Sequence, residues 1–115
     1  MTISLVNFGF APSAPFTAGH HVIKVVNNGT QPHELELVQF APGKTMDDLM
    51  KWGQTYAGPL PGTSLGGPAP MMPGQVEYMP VDLTPGNYAM VCFVTDSTNQ
   101  KPHLAEGMVL TFSIP

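Results

Sequence analysis

Apolar and polar positions alternate with a repeat of two in several short runs of the chain, the spacing of a strand that buries one face. Thr2–Phe8 opens the pattern, with Ile3 and Leu5 on one face and Asn7 in phase with them. His20–Val26 alternates loosely, Val22, Lys24 and Val26 against Ile23 and Val25. His33–Phe40 alternates well: His33, Leu35, Leu37 and Gln39 share one side, and Glu34, Glu36, Val38 and Phe40 the other. Gln75–Leu83 reads as a strand with Val76, Tyr78 and Pro80 on one side, Tyr88–Val94 is a dense β run, and Gly107–Ile114 alternates, Met108, Leu110, Phe112 and Ile114 opposite Val109, Thr111 and Ser113. Asn27-Asn28-Gly29-Thr30 and Thr84-Pro85-Gly86-Asn87 punctuate these runs as turns, because Asn and Gly accept positive φ and Pro presets the first turn position.

A repeat near 3.6 occurs once. Met46, Leu49 and Met50 form one stripe and predict a helix from Thr45 to about Gly53. Thr45 and Asp48 have the spacing of a capping pair, and Asp47 and Asp48 suit the positive end of the helix dipole. Gly53 reads as its stop. Gly9–Gly19 is broken by Pro12 and Pro15 and carries no predicted element. Tyr56–Gly74 holds five prolines and five glycines and reads as an irregular flap over one end of the fold. Asp96–Pro102 reads as a polar loop. There is no βαβ alternation. One domain over residues 1–115 is expected, an all-β Greek-key antiparallel sandwich of six to eight strands with one short helix.

Composition agrees. Twelve Gly and thirteen Pro in 115 residues suit short strands joined by many turns. Charged residues are 10% of the chain and the net charge is −4. The four lysines, Lys24, Lys44, Lys51 and Lys101, are scattered and no arginine joins them, which argues against nucleic acid. No apolar run approaches the ~20 residues of a membrane span. Met1 leads into Thr2-Ile3-Ser4 with no basic start and no small-residue cleavage site. A cytosolic protein and a mature domain behind an added Met both fit. The single cysteine, Cys92, excludes an internal disulfide.

Four residues carry candidate chemistry. His33 opens a strand, Cys92 closes one, and His103 and Met108 flank the start of the last. Strand ends gather at one end of a sandwich, so the four can meet there. Two imidazoles, a thiolate and a weak thioether are the ligand set of a type 1 copper site. Each also has a plainer reading. Cys92 alone suits a buried small hydrophobe, His33 and His103 suit solvated strand and loop positions, and Met108 is in phase with the core residues Leu110 and Phe112. Taken together and in this order, they favour the ligand reading.

The motifs resemble the cupredoxins, the type 1 blue copper proteins. The resemblance rests on Asn27-Asn28-Gly29-Thr30-Gln31-Pro32-His33, on Leu83-Thr84-Pro85-Gly86-Asn87-Tyr88 leading to Cys92, and on His103-Leu104-Ala105-Glu106-Gly107-Met108. It implies one copper ion held by His33, Cys92 and His103, with Met108 as a long axial ligand. It also implies an electron carrier that meets protein redox partners in a periplasm or outside the cell. Two features depart from the family pattern. Phe93–Pro102 places ten residues between Cys92 and His103, where familiar carriers have a much shorter loop. Glu34 follows His33 where many carriers have Asn.

Glu106 is an alternative axial ligand. Met71 and Met72 read as packing, or as soft transient ligands or a cover for the site. His20 and His21 point to opposite strand faces and read as surface residues. Trp52 reads as helix packing. A copper-handling protein without electron transfer and a metal-free interaction module are the competing functions. An enzyme fits least, since the chain has neither a His-x-His pair nor a nucleophile elbow.

Overall fold

The alternating runs build two four-stranded sheets packed face to face. The structure, a computed structural model, describes residues 1–115. In chain order the elements are β1 (Thr2–Val6), β2 (Gly9–Pro12), β3 (Gly19–Asn27), β4 (Glu36–Phe40), α1 (Met46–Thr55), β5 (Gly62–Gly66), β6 (Val76–Leu83), β7 (Gly86–Val91), a 3-10 turn (His103–Glu106) and β8 (Val109–Ile114). One sheet has the order β2-β1-β3-β6 and the other β5-β4-β7-β8. Their inner faces supply the core. Ile3, Leu5, Ile23, Val25, Leu37, Tyr88 and Met90 are buried between the sheets, each contributing about 1.5–3 kcal/mol by leaving water. The Tyr88 hydroxyl donates to the Thr84 carbonyl (2.6 Å) and accepts from the Thr84 N–H (3.0 Å), which pins the turn entering β7.

Helix α1 lies on the outer face of β7, where Leu49 packs with Ala89, Val91 and Leu104. Asp48 accepts the Thr45 N–H at 2.8 Å, as the capping spacing predicts. Gly53 does not stop the helix, which runs to Thr55 and closes at Tyr56 in a left-handed conformation. Gly53 serves a close approach instead. A Cβ there would sit 2.9 Å from a Leu104 methyl and 3.5 Å from the Phe93 ring.

Three further features differ from the sequence expectation. β2 forms within the segment broken by prolines, pairing Ile3 with Pro12 and Val6 with Gly9. β5 forms inside the stretch expected to be a flap and pairs with β4. Both are edge strands with one partner each, so they tolerate Pro and Gly that a central strand would not. The first sheet is also mixed. β1 and β3 run parallel, Thr2 opposite Lys24 and Leu5 opposite Asn27, because β2 carries the chain back before β3 starts. All other pairings are antiparallel. The parallel pair matters for function: the corner after β1 and the segment after β3 leave the sandwich at the same end.

Candidate metal centre

Asn27, fully buried at the end of β3, organises the next turn. Its amide donates to the carbonyls of Gln31 (3.1 Å) and Met71 (2.8 Å), and its oxygen accepts the Gly29 N–H (2.9 Å). His33 follows and is fixed by a two-bond bridge to Met71: its N–H donates to the Met71 carbonyl (3.1 Å), and the Met71 N–H donates back (2.8 Å). Gly29 leaves room for this. A Cβ at position 29 would lie 2.5 Å from Asn7 Oδ1 and 2.6 Å from His33 Nε2.

Cys92 stands one residue beyond β7. Its N–H donates to the Met108 carbonyl (3.3 Å), and its carbonyl accepts the Leu104 N–H (2.9 Å). The ten-residue segment between Cys92 and His103 is a closed hairpin. The His103 N–H donates to the Val94 carbonyl (2.8 Å), Thr95 bridges Pro102, and the Asp96 N–H donates to the Lys101 carbonyl (2.6 Å). The added length therefore projects away while its base brings the two side chains together. Asp96 is 3% exposed, and hydrogen bonds from the Thr98 N–H and hydroxyl hold its carboxyl down at about 2.

His33, Cys92 and His103 are all 0% exposed, and their ligand atoms lie within 4.8 Å of one another. His33 Nδ1 is 3.1 Å from His103 Nδ1, which is 3.5 Å from Cys92 Sγ. The opposite edges of both rings are occupied. His33 Nε2 meets Asn7 Oδ1 at 2.6 Å, and His103 Nε2 meets Gln31 Oε1 at 2.8 Å. Backbone donors identify these amide atoms as oxygens, the Thr30 N–H at Asn7 (3.2 Å) and the Ser97 N–H at Gln31 (3.1 Å). An amide oxygen only accepts, so each Nε2 carries the ring proton. Both Nδ1 atoms are then bare lone pairs facing each other beside a thiol.

Burial keeps the rings neutral. It lowers His33 to about 4, with His103 adding to the effect, and it lowers His103 against the opposing pull of Asp96 and Glu106. Burial also pushes the Cys92 thiol up to about 11, against the Glu34 and Val94 N–H groups. The two lone pairs repel each other at 3.1 Å with only the thiol hydrogen to share, and together with the sulfur they suit a borderline-soft cation. The donor set fits a copper ion.

The departure at Glu34 is resolved by the geometry. Its backbone N–H donates to Cys92 Sγ (3.4 Å), and its carboxylate accepts the Phe93 N–H (3.1 Å), so the two ligand-bearing segments are tied together. Burial raises the Glu34 carboxyl. Met108 is fully buried in the same cluster as Cys92, and its N–H donates to the His103 carbonyl (3.1 Å). Glu106 lies outside the converging donors, its carboxylate accepting from Asn99 (2.6 Å). Met71 is buried in the same core cluster as Cys92, while Met72 is 57% exposed. Trp52 packs edge-on against Tyr56 and Phe93. His20 and His21 sit at the opposite end of β3, bonded to Asp82 and Thr17.

Sequence reasoning missed Asn7, Gln31 and Phe8. Phe8 covers the pocket, its ring centroid 4.9 Å from that of His103. Asn7 carried a partial signal, a polar residue in phase with the buried Ile3 and Leu5. Gln31 lay inside a recognised motif, yet nothing local marked it as a partner for a residue 72 positions away.

No protein-family model and no curated protein matches the chain. Solved structures do. Reduced auracyanin from the photosynthetic bacterium Roseiflexus castenholzii superposes with a TM-score of 0.62 over 99% of this chain and 94% of its own, at 22% identity. The purple cupredoxin of Nitrosopumilus maritimus gives 0.56 over 99% and 98%, at 12% identity. Auracyanin A, a blue copper protein of Chloroflexus aurantiacus, gives 0.59 over 100% and 98%, at 14% identity. This chain has the cupredoxin fold, as the motif resemblance implied.

Proposed function

We propose that this protein is a mononuclear type 1 copper protein that carries single electrons between protein partners. His33, Cys92 and His103 would hold the ion strongly, and Met108 would add a weak thioether donor. The observation that carries this reading is the convergence of two bare Nδ1 atoms and Cys92 Sγ, all buried, within 4.8 Å. Bound copper supplies the one-electron Cu(I)/Cu(II) couple. The chain supplies the rest. With an ion bound, Cys92 would be a thiolate, its proton released to solvent, and the Glu34 N–H that already points at Sγ would donate to it. Asn7 and Gln31 hold the rings by their outer edges, Phe8 covers the pocket, and core packing keeps water out. Groups held this firmly move little when the charge changes, which keeps the reorganisation cost of electron transfer low.

The closed pocket supports retention of the ion over its delivery, and a carrier over an enzyme. A periplasmic or extracellular setting accompanies this reading. In the structure itself, no helix is long and apolar enough to cross a membrane.

The test is the visible spectrum after one equivalent of Cu(II). An intense thiolate-to-copper band is expected in the native protein and none in Cys92→Ser. A native protein with no band overturns the reading, and a band shifted to the blue moves the axial role from Met108 towards Glu106.

A further inference from the structure

The side chain that holds His103 is itself held. Gln31 Oε1 accepts from His103 Nε2 (2.8 Å) and from the Ser97 N–H (3.1 Å), while its amide nitrogen faces Asp96 Oδ1 at 3.4 Å. Asp96 Oδ1 also accepts from the Thr98 N–H (2.8 Å) and hydroxyl (2.7 Å). One amide thus joins three segments: the turn before His33, the 93–102 hairpin, and His103. Turning the amide over would set its NH2 against two donors and its oxygen against a carboxylate. Ser97 and Asp96 together dictate which atom His103 meets.

This choice has a competitor. His103 Nδ1 is 3.1 Å from His33 Nδ1, a good distance for a ring-to-ring hydrogen bond. Without an acceptor at Nε2, the favourable tautomer of His103 would carry its proton on Nδ1 and donate it to His33. That proton would occupy the atom needed as a ligand.

We propose that Gln31 is a positioning residue that locks His103 in the Nε2–H tautomer, and that Asp96 and the long hairpin orient Gln31 for this task. The hairpin that departs from the usual short ligand loop therefore has a purpose: it prepares one ligand before the metal arrives. The value of that preparation rests on the copper reading above, but the tautomer belongs to the metal-free protein and is measured there.

The experiment is nitrogen-15 NMR of the histidine rings in metal-free protein at pH 7. Native protein should show both His33 and His103 with bare Nδ1. In Gln31→Leu, His103 should change to the Nδ1–H form while His33 stays as it was, and copper affinity should fall roughly 10–100-fold. If Gln31→Leu fails to fold, Gln31→Asn shortens the side chain by one methylene, withdraws the acceptor and should give the same change. A folded Gln31→Leu or Gln31→Asn that keeps bare Nδ1 at His103 overturns the proposal. These outcomes are separate from the copper test. A native protein with the expected tautomers and no thiolate band sinks the copper reading alone, and a band without the tautomer change sinks the positioning role alone.

Discussion

The two ends of the sandwich each carry a pair of histidines, and they have opposite fates. His20 and His21 lie at the start of β3, and the His20 side chain is 64% exposed with Nδ1 2.7 Å from the Asp82 carboxylate. His33 and His103 lie at the other end, fully buried, with their outer nitrogens on amide oxygens. The carboxylate at His20 claims Nδ1 itself. The amides of Asn7 and Gln31 claim Nε2 and leave Nδ1 bare. The difference teaches that a ligand histidine is defined less by its identity than by which nitrogen is already taken, and by what.

The sharpest way to break the comparison is to remove one residue from each end. His33→Ala should lower copper affinity by more than about a hundredfold, beyond the usual cost of losing a supporting hydrogen bond, and should abolish the thiolate band. His20→Ala should leave both unchanged. Competition with a chelator of known affinity, with the visible spectrum alongside, measures both, and equal losses in the two variants would remove the distinction between the ends.

Gly29→Ala tests the packing that lets Asn7 reach His33. The new Cβ would fall 2.5 Å from Asn7 Oδ1 and 2.6 Å from His33 Nε2, so one of them must move. A loss of about 1–3 kcal/mol in urea unfolding is expected, the usual cost of overfilling a packed site. Gly19→Ala, with nothing within 4 Å of its Cβ, is the control for space, though its positive φ carries a strain of its own.

Acid gives a gentler separation. His33 is lowered from 6.5 to about 4 in the folded chain, so between those values the unfolded state binds more protons. Stability of the metal-free protein should therefore fall as the pH drops from about 6.5 towards 4, and His103, lowered for the same reason of burial, adds to the fall. Urea midpoints across that range measure it. In His33→Ala the dependence should become shallower, and in His20→Ala it should persist.

Much of this end of the molecule was legible in advance. Period-two patterning located the central strands, and the order of His33, Cys92 and His103 pointed to three side chains that the fold brings together. Other parts were not legible. β2 and β5 are four- and five-residue edge strands rich in Pro or Gly, held by a single neighbour, and their local sequence argues against them. The hairpin at 93–102 reads locally as a polar loop because its closure depends on Val94 meeting His103 and Asp96 meeting Lys101.

The sequence by itself determined which residues could serve as ligands and, along β1 and β3, which face would be buried, though not along β6, where Val76 and Tyr78 are exposed. Residue type and local spacing carry both kinds of information. Tertiary structure decided which nitrogen of each ring is free. That outcome depends on the parallel pairing of β1 with β3, which sends Asn7 and the His33 segment out at the same end. It depends equally on Gln31 and His103, 72 residues apart in the chain, meeting across the mouth of the sandwich at 2.8 Å. A tautomer is set by the partner a nitrogen finds in space, and no local pattern of residues encodes that partner.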